Sequence, residues 1–275
     1  MPKKQNKKRN SEQDLKKLRS KRILKKSWLT IFTVSVIVFL YSVFSVLRVF
    51  LEYRAIDNLN LELQVNYTSI VEVENNESFN TTYFLDIDWE RLLERNSDVI
   101  AWIYIPNTSI SLPILQGKNN YSYLHHDIDR NRSVAGSIFM EESNSPDFMD
   151  LNTIIHGHNM RNGSMFTDIH RAVSEKLNNF SDYIYIYLPN GVLNVYRIIG
   201  LKETNASNPI YQREVRSLED YLQIALSGQV RDLTFNKNNV GHILSLSTCG
   251  SGGANTLNRS VIFAGLINQI NLYDA

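Results

Sequence analysis

The chain has 275 residues, 29 Lys and Arg against 28 Asp and Glu, and a single cysteine, Cys249. Twelve Lys or Arg and two acids fall within the first 26 residues, so the remaining 249 carry 17 basic and 26 acidic groups, a net charge of −9. This acidic balance argues against a nucleic-acid partner, which calls for clustered Lys and Arg, and one cysteine rules out a disulfide within the chain.

An uncharged stretch follows the basic segment. Residues 28–47 carry no charged side chain in twenty positions, which is the roughly 20 residues that a helix needs to cross a bilayer. The alternative is a cleaved signal peptide, but its apolar core is usually about 7–15 residues and ends at a small-residue cleavage site. We therefore expect a basic cytoplasmic tail over 1–26 and an uncleaved transmembrane signal anchor over 27–49.

The basic flank also predicts the orientation of the anchor. Lys and Arg stay on the cytoplasmic side, so the chain from residue 50 onward is expected outside the cell, on a single-pass protein of the cell membrane. Binding of the basic tail to anionic lipid is a secondary reading. Outside the cell an unpaired cysteine indicates intermolecular pairing or a reactive thiol, although a lone cysteine can also be a small buried hydrophobic residue.

The segment after the anchor is expected to lead to a separate domain. Residues 50–65 have the apolar spacing of a helix, and 66–83 are polar and Asn-rich, which predicts a linker, so 50–85 form an extracellular helix and linker. Asp88 is placed to cap a short helix that ends near Asn96.

Short β-rich segments dominate the chain from residue 86 onward, separated by Gly, Pro, Asn or Asp. They cover residues 100–106, 110–116, 136–141, 152–158, 183–188, 193–201, 242–249 and 260–267. Eight strands with few helices predict a mainly β barrel or sandwich formed by residues 86–275.

One connection is much longer than the others. About 40 residues separate the sixth strand from the seventh, and within them 217–228 begins with a Ser cap and repeats Leu218, Leu222 and Leu226. This pattern predicts a helix inside a long connection, and long ordered connections are usually functional.

Three residue types that suit nucleophilic catalysis lie at predicted strand ends. Cys249 ends the seventh strand, and His156 and His158 lie two apart in IIHGHNM, so on a strand they share a face. Arg259 starts the eighth strand, and if the last two strands are antiparallel neighbours it lies at the same rim as the thiol. A thiol with an imidazole and a cation beside it can form and stabilise a tetrahedral oxyanion.

Other readings of these residues remain open. His156, His158 and Cys249 could hold zinc, although no fourth ligand is evident. Arg259 taken alone would be read as a surface residue of a strand.

Together these features resemble a class B sortase, a family of membrane-anchored cysteine transpeptidases of Gram-positive bacteria. The resemblance is carried by LSTC at 246–249, GHNM at 157–160, and Arg259 at the family's spacing. WIYIPNTSISLPILQGKNNYSYL and GSIFME are similar to the family's early strands. The resemblance covers about residues 86–270 and implies an eight-stranded sortase-type barrel with an N-terminal helix and the extra helix between strands 6 and 7 that separates class B from class A.

The resemblance also implies a reaction. Cys249 would attack the carbonyl of a Thr in a C-terminal sorting signal of a surface protein, giving a thioacyl enzyme. His158 would protonate the leaving amine and later help to deprotonate the incoming amine, which belongs to peptidoglycan or to a pilin Lys, while Arg259 holds the substrate or the oxyanion. No cofactor and no metal is expected.

Substrate contacts follow from the resemblance by position. Asn120 and Leu124 match residues that line the sorting-signal groove, and Ser247 lies beside the cysteine. Asn205 and Ile210, in the long connection, are expected to form the far wall of the groove.

The sequence departs from the family pattern at two places. His156 stands where the family often has Tyr, and GSGGA follows Cys249 where an acid is often found. Two other functions remain as alternatives: a membrane-tethered extracellular thiol hydrolase, and a non-catalytic binding module in which the cysteine is buried.

Overall fold

A long helix forms the N-terminal part of the chain. The computed structural model describes residues 3–74, 81–174, 176–177, 179–211, 217–227, 241–253 and 256–273, and its first helix, α1, is Lys3–Tyr67. The chain divides into two compact units, Met1–Arg54 and Ala55–Ala275. Within α1, Lys25–Tyr67 is long and apolar enough to cross a membrane by length and composition, with a mean hydropathy of 2.3 over its most apolar window, none of which is buried.

A β-hairpin follows α1, where the sequence had predicted a polar linker over 66–83. Its strands are β1, Thr68–Glu74, and β2, Thr81–Ile87, paired antiparallel with Ile70 opposite Leu85. The linker prediction was wrong for 68–74 and 81–83, because β-branched residues lie among the Asn and Glu there and each strand has the other as its hydrogen-bonding partner. Residues 75–80 of the predicted linker lie outside the described residues.

The short helix α2, Trp89–Arg95, begins and ends where the sequence predicts. The Asp88 side chain accepts the hydrogen bond of the backbone N–H three residues on, at 3.1 Å. In its last turn Arg95 donates to both carboxylate oxygens of Asp129 at 2.7 Å, and also to Glu62 of α1 at 2.7 Å. These hydrogen bonds hold the pKa of Asp129 below its usual value and fix the last turns of α1 to the domain.

Eight strands close into a barrel, which confirms the mainly β prediction and selects the barrel over the sandwich. They are β3 (Val99–Tyr104), β4 (Ser111–Leu115), β5 (Ile138–Met140), β6 (Asn152–His156), β7 (Tyr183–Tyr187), β8 (Val192–Asn205), β9 (Ile243–Cys249) and β10 (Asn258–Asn271). Around the barrel the order is β10-β8-β7-β3-β4-β5-β6-β9. Neighbours are antiparallel except for the parallel pairs β4–β5 and β6–β9.

Two of the strands are longer than predicted. β8 and β10 each extend over 14 residues and pair antiparallel along that length, with irregularities in register at Phe263/Ala264 and Leu266/Asn268. Such bulges let a long strand bend around a barrel.

Two short helices were not predicted. They are α3, Tyr121–Leu124, and α4, Thr167–Val173. Neither has a side-chain N-cap hydrogen bond, and each is two turns or less, so the sequence carries no start signal for them.

The predicted helix of the long connection is present as α5, Leu218–Leu226. The Ser217 hydroxyl caps it by accepting from Asp220 N at 3.1 Å. The helix buries Tyr221, Leu222 and Ala225 against a cluster that includes residues of β8, β9 and β10, while Leu218 and Leu226 lie at the edge of that cluster. Helix α5 therefore packs against these three strands.

Candidate active site

The ends of β6, β9 and β10 meet at one rim of the barrel. Cys249 is the last residue of β9, and the antiparallel register places Arg259 of β10 directly opposite it. On the other side β6 runs parallel to β9, so both strands end at this rim, with His156 paired to Ser247. Residues directly opposite on antiparallel strands have Cβ atoms about 4.5–5.5 Å apart, so the thiol and the guanidinium belong to one site.

Two glycines bring the backbone close enough to build this rim. A Cβ on Gly250 would meet the backbone of Arg259 at 3.2 Å, and Gly250 N–H donates to Asn258 O at 2.9 Å. A Cβ on Gly157 would meet the ring of Phe166 at 2.7 Å. The glycine between the two histidines is therefore required by packing.

His158 lies just beyond the end of β6 and is half-buried. Its Nε2 is 2.7 Å from the carbonyl oxygen of Leu124. Because a carbonyl can only accept, the neutral ring carries its proton on Nε2, which leaves Nδ1 as a free base. Burial is the main cause that lowers the pKa of His158 below 6.5, the charge of His125 lowers it further, and the contact with Leu124 opposes both.

His156 has a different set of neighbours. Its Nε2 lies 3.0 Å from Glu141 Oε2, and its ring lies against Phe139 with centroids 5.2 Å apart. Unlike His158, this imidazole is paired with a carboxylate. The two histidines of the motif therefore have distinct roles in the structure, although both line the same groove.

The thiol opens into a groove of about 290 Å³. Cys249, His158 and Arg259 line it together with Leu124 and Tyr211. A thiol, an imidazole with a free nitrogen and a guanidinium in one groove is an arrangement suited to acyl transfer through a thioester.

The predicted substrate-binding residues divide into two sets. Leu124 and Ser247 line the groove of the thiol. Asn120 is not among the described residues that line it: its Nδ2 donates to Glu141 Oε1 at 2.6 Å, and its Oδ1 accepts from the backbone N–H of Glu142 at 2.8 Å.

The two residues expected in the far wall are engaged elsewhere. The Asn205 side chain accepts the N–H and the hydroxyl of Ser207, at 3.0 and 2.9 Å, which shapes a turn. Ile210 is buried in the cluster beneath α5. Two neighbours in the same segment, Ala206 and Tyr211, line the groove instead.

Sequence reasoning missed Tyr211 and Asn159. The Tyr211 hydroxyl is 2.7 Å from the Ser247 hydroxyl, and burial raises the pKa of Tyr211 to about 12, so it stays neutral near pH 7. Asn159 donates to the carbonyl oxygen of Cys249 at 3.1 Å. Asn159 lies in the GHNM motif and could have been found there, whereas nothing local points to Tyr211.

Among the residues that the structure describes, no group of three His, Cys, Asp or Glu side chains is arranged to hold a metal ion.

Comparison with known proteins agrees with this geometry. The model of the sortase domain family matches residues 103–267. The chain belongs to the sortase family. It is 32% identical over 186 residues to sortase B of Listeria monocytogenes, covering 65% of this chain and 73% of that protein. It is 29% identical over 182 residues to sortase B of Staphylococcus aureus, covering 65% and 74%.

Solved structures of class B sortases are also similar to this chain. The structure of Clostridium perfringens sortase B has a TM-score of 0.56 and 30% identity, covering 65% of this chain and 99% of that one. A Staphylococcus aureus sortase B–substrate complex has a TM-score of 0.55 and 26% identity, covering 66% and 84%. The protein is a class B sortase, a cysteine transpeptidase that acts on peptide bonds, and the binding-module reading is not favoured.

Proposed function

We propose that Cys249 is the nucleophile of this sortase, His158 its general acid and base, and Arg259 the group that holds the substrate carbonyl and its oxyanion. The observation that carries the proposal is the register of β9 and β10, which sets Cys249 opposite Arg259 in a groove that His158 also lines. The free Nδ1 of His158 is available to take a proton, since Nε2 is occupied by Leu124.

In the first half of the reaction the thiol sulfur attacks the carbonyl carbon of a Thr in the sorting signal. The thiol proton passes to His158, and a tetrahedral oxyanion forms next to Arg259. The peptide C–N bond then breaks, the protonated His158 gives its proton to the leaving amine, and a thioester remains on Cys249.

In the second half an amine attacks the thioester carbonyl, with His158 accepting its proton. The C–S bond breaks, a new amide forms and the thiol is regenerated. The acceptor is an amine of peptidoglycan or a pilin Lys, and the donors are surface proteins with a C-terminal sorting signal. One similar structure is that of a Streptococcus pyogenes class B sortase involved in pilus biogenesis, and another contains a bound substrate, which supports both parts of this proposal.

Five residues are proposed to shape the sorting-signal site. Leu124 and Ser247 contact the substrate in the groove, whereas Asn120 acts at its edge through the two acids that it binds. Asn205 and Ile210 act indirectly, by fixing the turn and the buried anchor from which Tyr211 extends.

The apolar part of α1 is proposed to anchor the enzyme in the cell membrane. The support is the uncharged run at 28–47 and the basic residues that precede it. In this orientation the catalytic unit is extracellular, on the side where surface proteins and cell wall are found.

The test uses the full-length protein in detergent micelles and a library of fluorogenic peptides, each ending in a different sorting signal. Cleavage is measured with and without a peptidoglycan cross-bridge amine. We expect amine-dependent product with the wild type, none with Cys249→Ala, and a loss of about 10²–10⁴ in rate with His158→Ala. His156→Ala serves as the matched control and should change the rate little. If His156→Ala is inactive and His158→Ala is not, the histidine is wrongly assigned, and if the amine never enters the product the enzyme is a hydrolase.

A further inference from the structure

One carboxylate from a neighbouring strand fixes the loop between Cys249 and Arg259. Glu203 of β8 lies opposite Ser260 in the β8–β10 pair. Its Oε1 accepts the backbone N–H of Ser251 at 3.2 Å and the Ser251 hydroxyl at 2.7 Å. Because Ser251 is the second residue after the thiol, Glu203 holds the chain where it leaves Cys249.

From Ser251 the hydrogen bonds continue to the guanidinium. The Ser251 carbonyl accepts from Thr256 Oγ1 at 3.2 Å and from Asn258 Nδ2 at 3.3 Å. Arg259 Nη1 in turn donates to Thr256 O at 3.1 Å and to Asn258 O at 2.9 Å. The position of the guanidinium therefore depends on where the loop carbonyls lie.

The described part of the loop between Cys249 and Arg259 is rich in glycine. It contains Gly250, Gly252 and Gly253, and the last two have φ of +91° and +66°, a region that other residues rarely adopt. Glycine loses more conformational entropy on folding than any other residue. A glycine-rich loop is therefore stabilised in one conformation by hydrogen bonds from a neighbouring strand. Among the described residues outside the loop, Glu203 is the one whose side chain forms hydrogen bonds with Ser251.

We propose that Glu203 is a positioning residue for transpeptidation, which acts through Ser251 and Thr256 on the guanidinium of Arg259. The inference rests on the role given to Arg259 under the proposed function. A carboxylate suits this task because hydrogen bonds to a charged acceptor are about twice as strong as those between neutral groups. A guanidinium held in advance stabilises the oxyanion without reorganising when charge develops.

The first experiment follows the guanidinium through the reactivity of the thiol. Cys249 is the single cysteine of the chain, so modification of the full-length protein in micelles reports on this site alone. Rates are measured with an anionic sulfonatoethyl and a cationic trimethylammonium-ethyl methanethiosulfonate. A guanidinium held beside the thiol favours the anionic reagent.

Two uncharged substitutions break the chain of hydrogen bonds without altering the formal charge of the site. Ser251→Ala removes the hydroxyl that reaches Glu203, and Thr256→Val removes the one that reaches Ser251 O. We expect each to lower the anionic-to-cationic rate ratio by roughly threefold or more, since a unit charge at a few ångströms contributes that much even when screened. An unchanged ratio in both variants overturns the proposal.

The second experiment separates positioning from folding. With the best peptide from the library, Glu203→Ala should lower kcat about tenfold and change KM less than twofold, because the guanidinium acts on the oxyanion. Glu203→Gln keeps an acceptor oxygen and should restore most of the rate. Glu94→Ala, at an exposed position of α2, is the matched control and should behave as wild type.

The same measurements in an Arg259→Lys background decide between the proposal and a purely structural role. If Glu203 acts through Arg259, Glu203→Ala costs less than twofold there, because the two effects are not additive. An equal loss in both backgrounds, or a loss that follows a lower melting temperature, contradicts it. If Arg259→Lys is inactive and Glu203→Ala has the wild-type rate, the role of Glu203 is contradicted and the proposed function stands. If Arg259→Lys has the wild-type rate, the role proposed for Arg259 itself is contradicted.

Discussion

Among the individual residues, the fold gives the two histidines of the IIHGHNM motif different hydrogen-bond partners, and the proposed chemistry depends on that difference. Two histidines stand two positions apart, but one pairs with a carboxylate and the other donates to the carbonyl oxygen of Leu124. The second, His158, keeps Nδ1 unprotonated in a half-buried position. This difference is the physical basis for assigning the acid–base role to His158.

Replacing Arg259 by Lys is expected to lower kcat roughly 10²-fold, about the effect of losing one oxyanion donor. The guanidinium can bind two loop carbonyls through Nη1 and still present the N–H groups of its other nitrogens to the groove, whereas an ammonium bound to both carbonyls has one N–H left, on the same nitrogen. Steady-state turnover of the best library peptide measures this. Arg197→Lys, at an exposed position of β8, should be silent, and a near-normal rate in Arg259→Lys would show that only the positive charge matters.

The pH profile of kcat/KM should have an acid limb with a midpoint below about 6.5, the unperturbed value for histidine. Burial lowers the pKa of His158, so the neutral ring that takes the thiol proton persists to lower pH and is lost only as pH falls through that lowered value. His125→Asn should move the midpoint upward, because the charge of His125 contributes to the lowering. A midpoint above 6.5 in the wild type would contradict this assignment.

Among the helices and strands, α5 is held in place by a buried lysine that no local sequence pattern indicates. Lys202 of β8 is 4% exposed, and its Nζ donates to Ile224 O at 2.7 Å and to Ser227 O at 3.1 Å. These carbonyls are at the C-terminal end of the helix, where a cation is favourable, and burial lowers the pKa of the ammonium.

Lys202→Met keeps most of the side-chain volume but removes the donor, so the carbonyls of Ile224 and Ser227 at the end of the helix lose this hydrogen bond. We expect a loss of about 1–3 kcal/mol in the free energy of unfolding, the usual cost of an unsatisfied buried group. Thermal unfolding of the full-length protein in micelles gives the comparison, with Lys118→Met at an exposed position as the control. Equal melting temperatures for the two variants would mean that α5 is held by its apolar face alone.

For the whole molecule, the excess of Lys and Arg before the apolar run at 28–47 predicts how the chain is oriented across the membrane. A periplasm- or exterior-specific reporter such as alkaline phosphatase, fused after Ala275, should be active, because twelve Lys and Arg precede the apolar run and basic flanks favour the cytoplasmic side. Replacing those twelve residues by Gln should reduce the reporter activity. A reporter at Ala275 that works only in the cytoplasm would reverse the orientation.

The parts of this protein that depend on local sequence patterns could be predicted before the structure. Strand segments follow from β-branched runs between turn residues, α2 and α5 from the caps Asp88 and Ser217, and the candidate anchor from twenty uncharged positions. The proposed catalytic residues could be found because GHNM and LSTC are short local motifs and Arg259 follows Cys249 at the family's spacing.

Features that depend on contacts between residues distant in the chain could not be predicted from local patterns. The hairpin of β1 and β2 exists through pairing across a polar segment, and closure of the barrel follows from the long pairing of β8 with β10. Tyr211 reaches the groove from the long connection, and Glu203 reaches Ser251 from 48 residues away. No local pattern encodes such contacts, because their free energy comes from surfaces and hydrogen-bonding groups that meet only when the chain has folded.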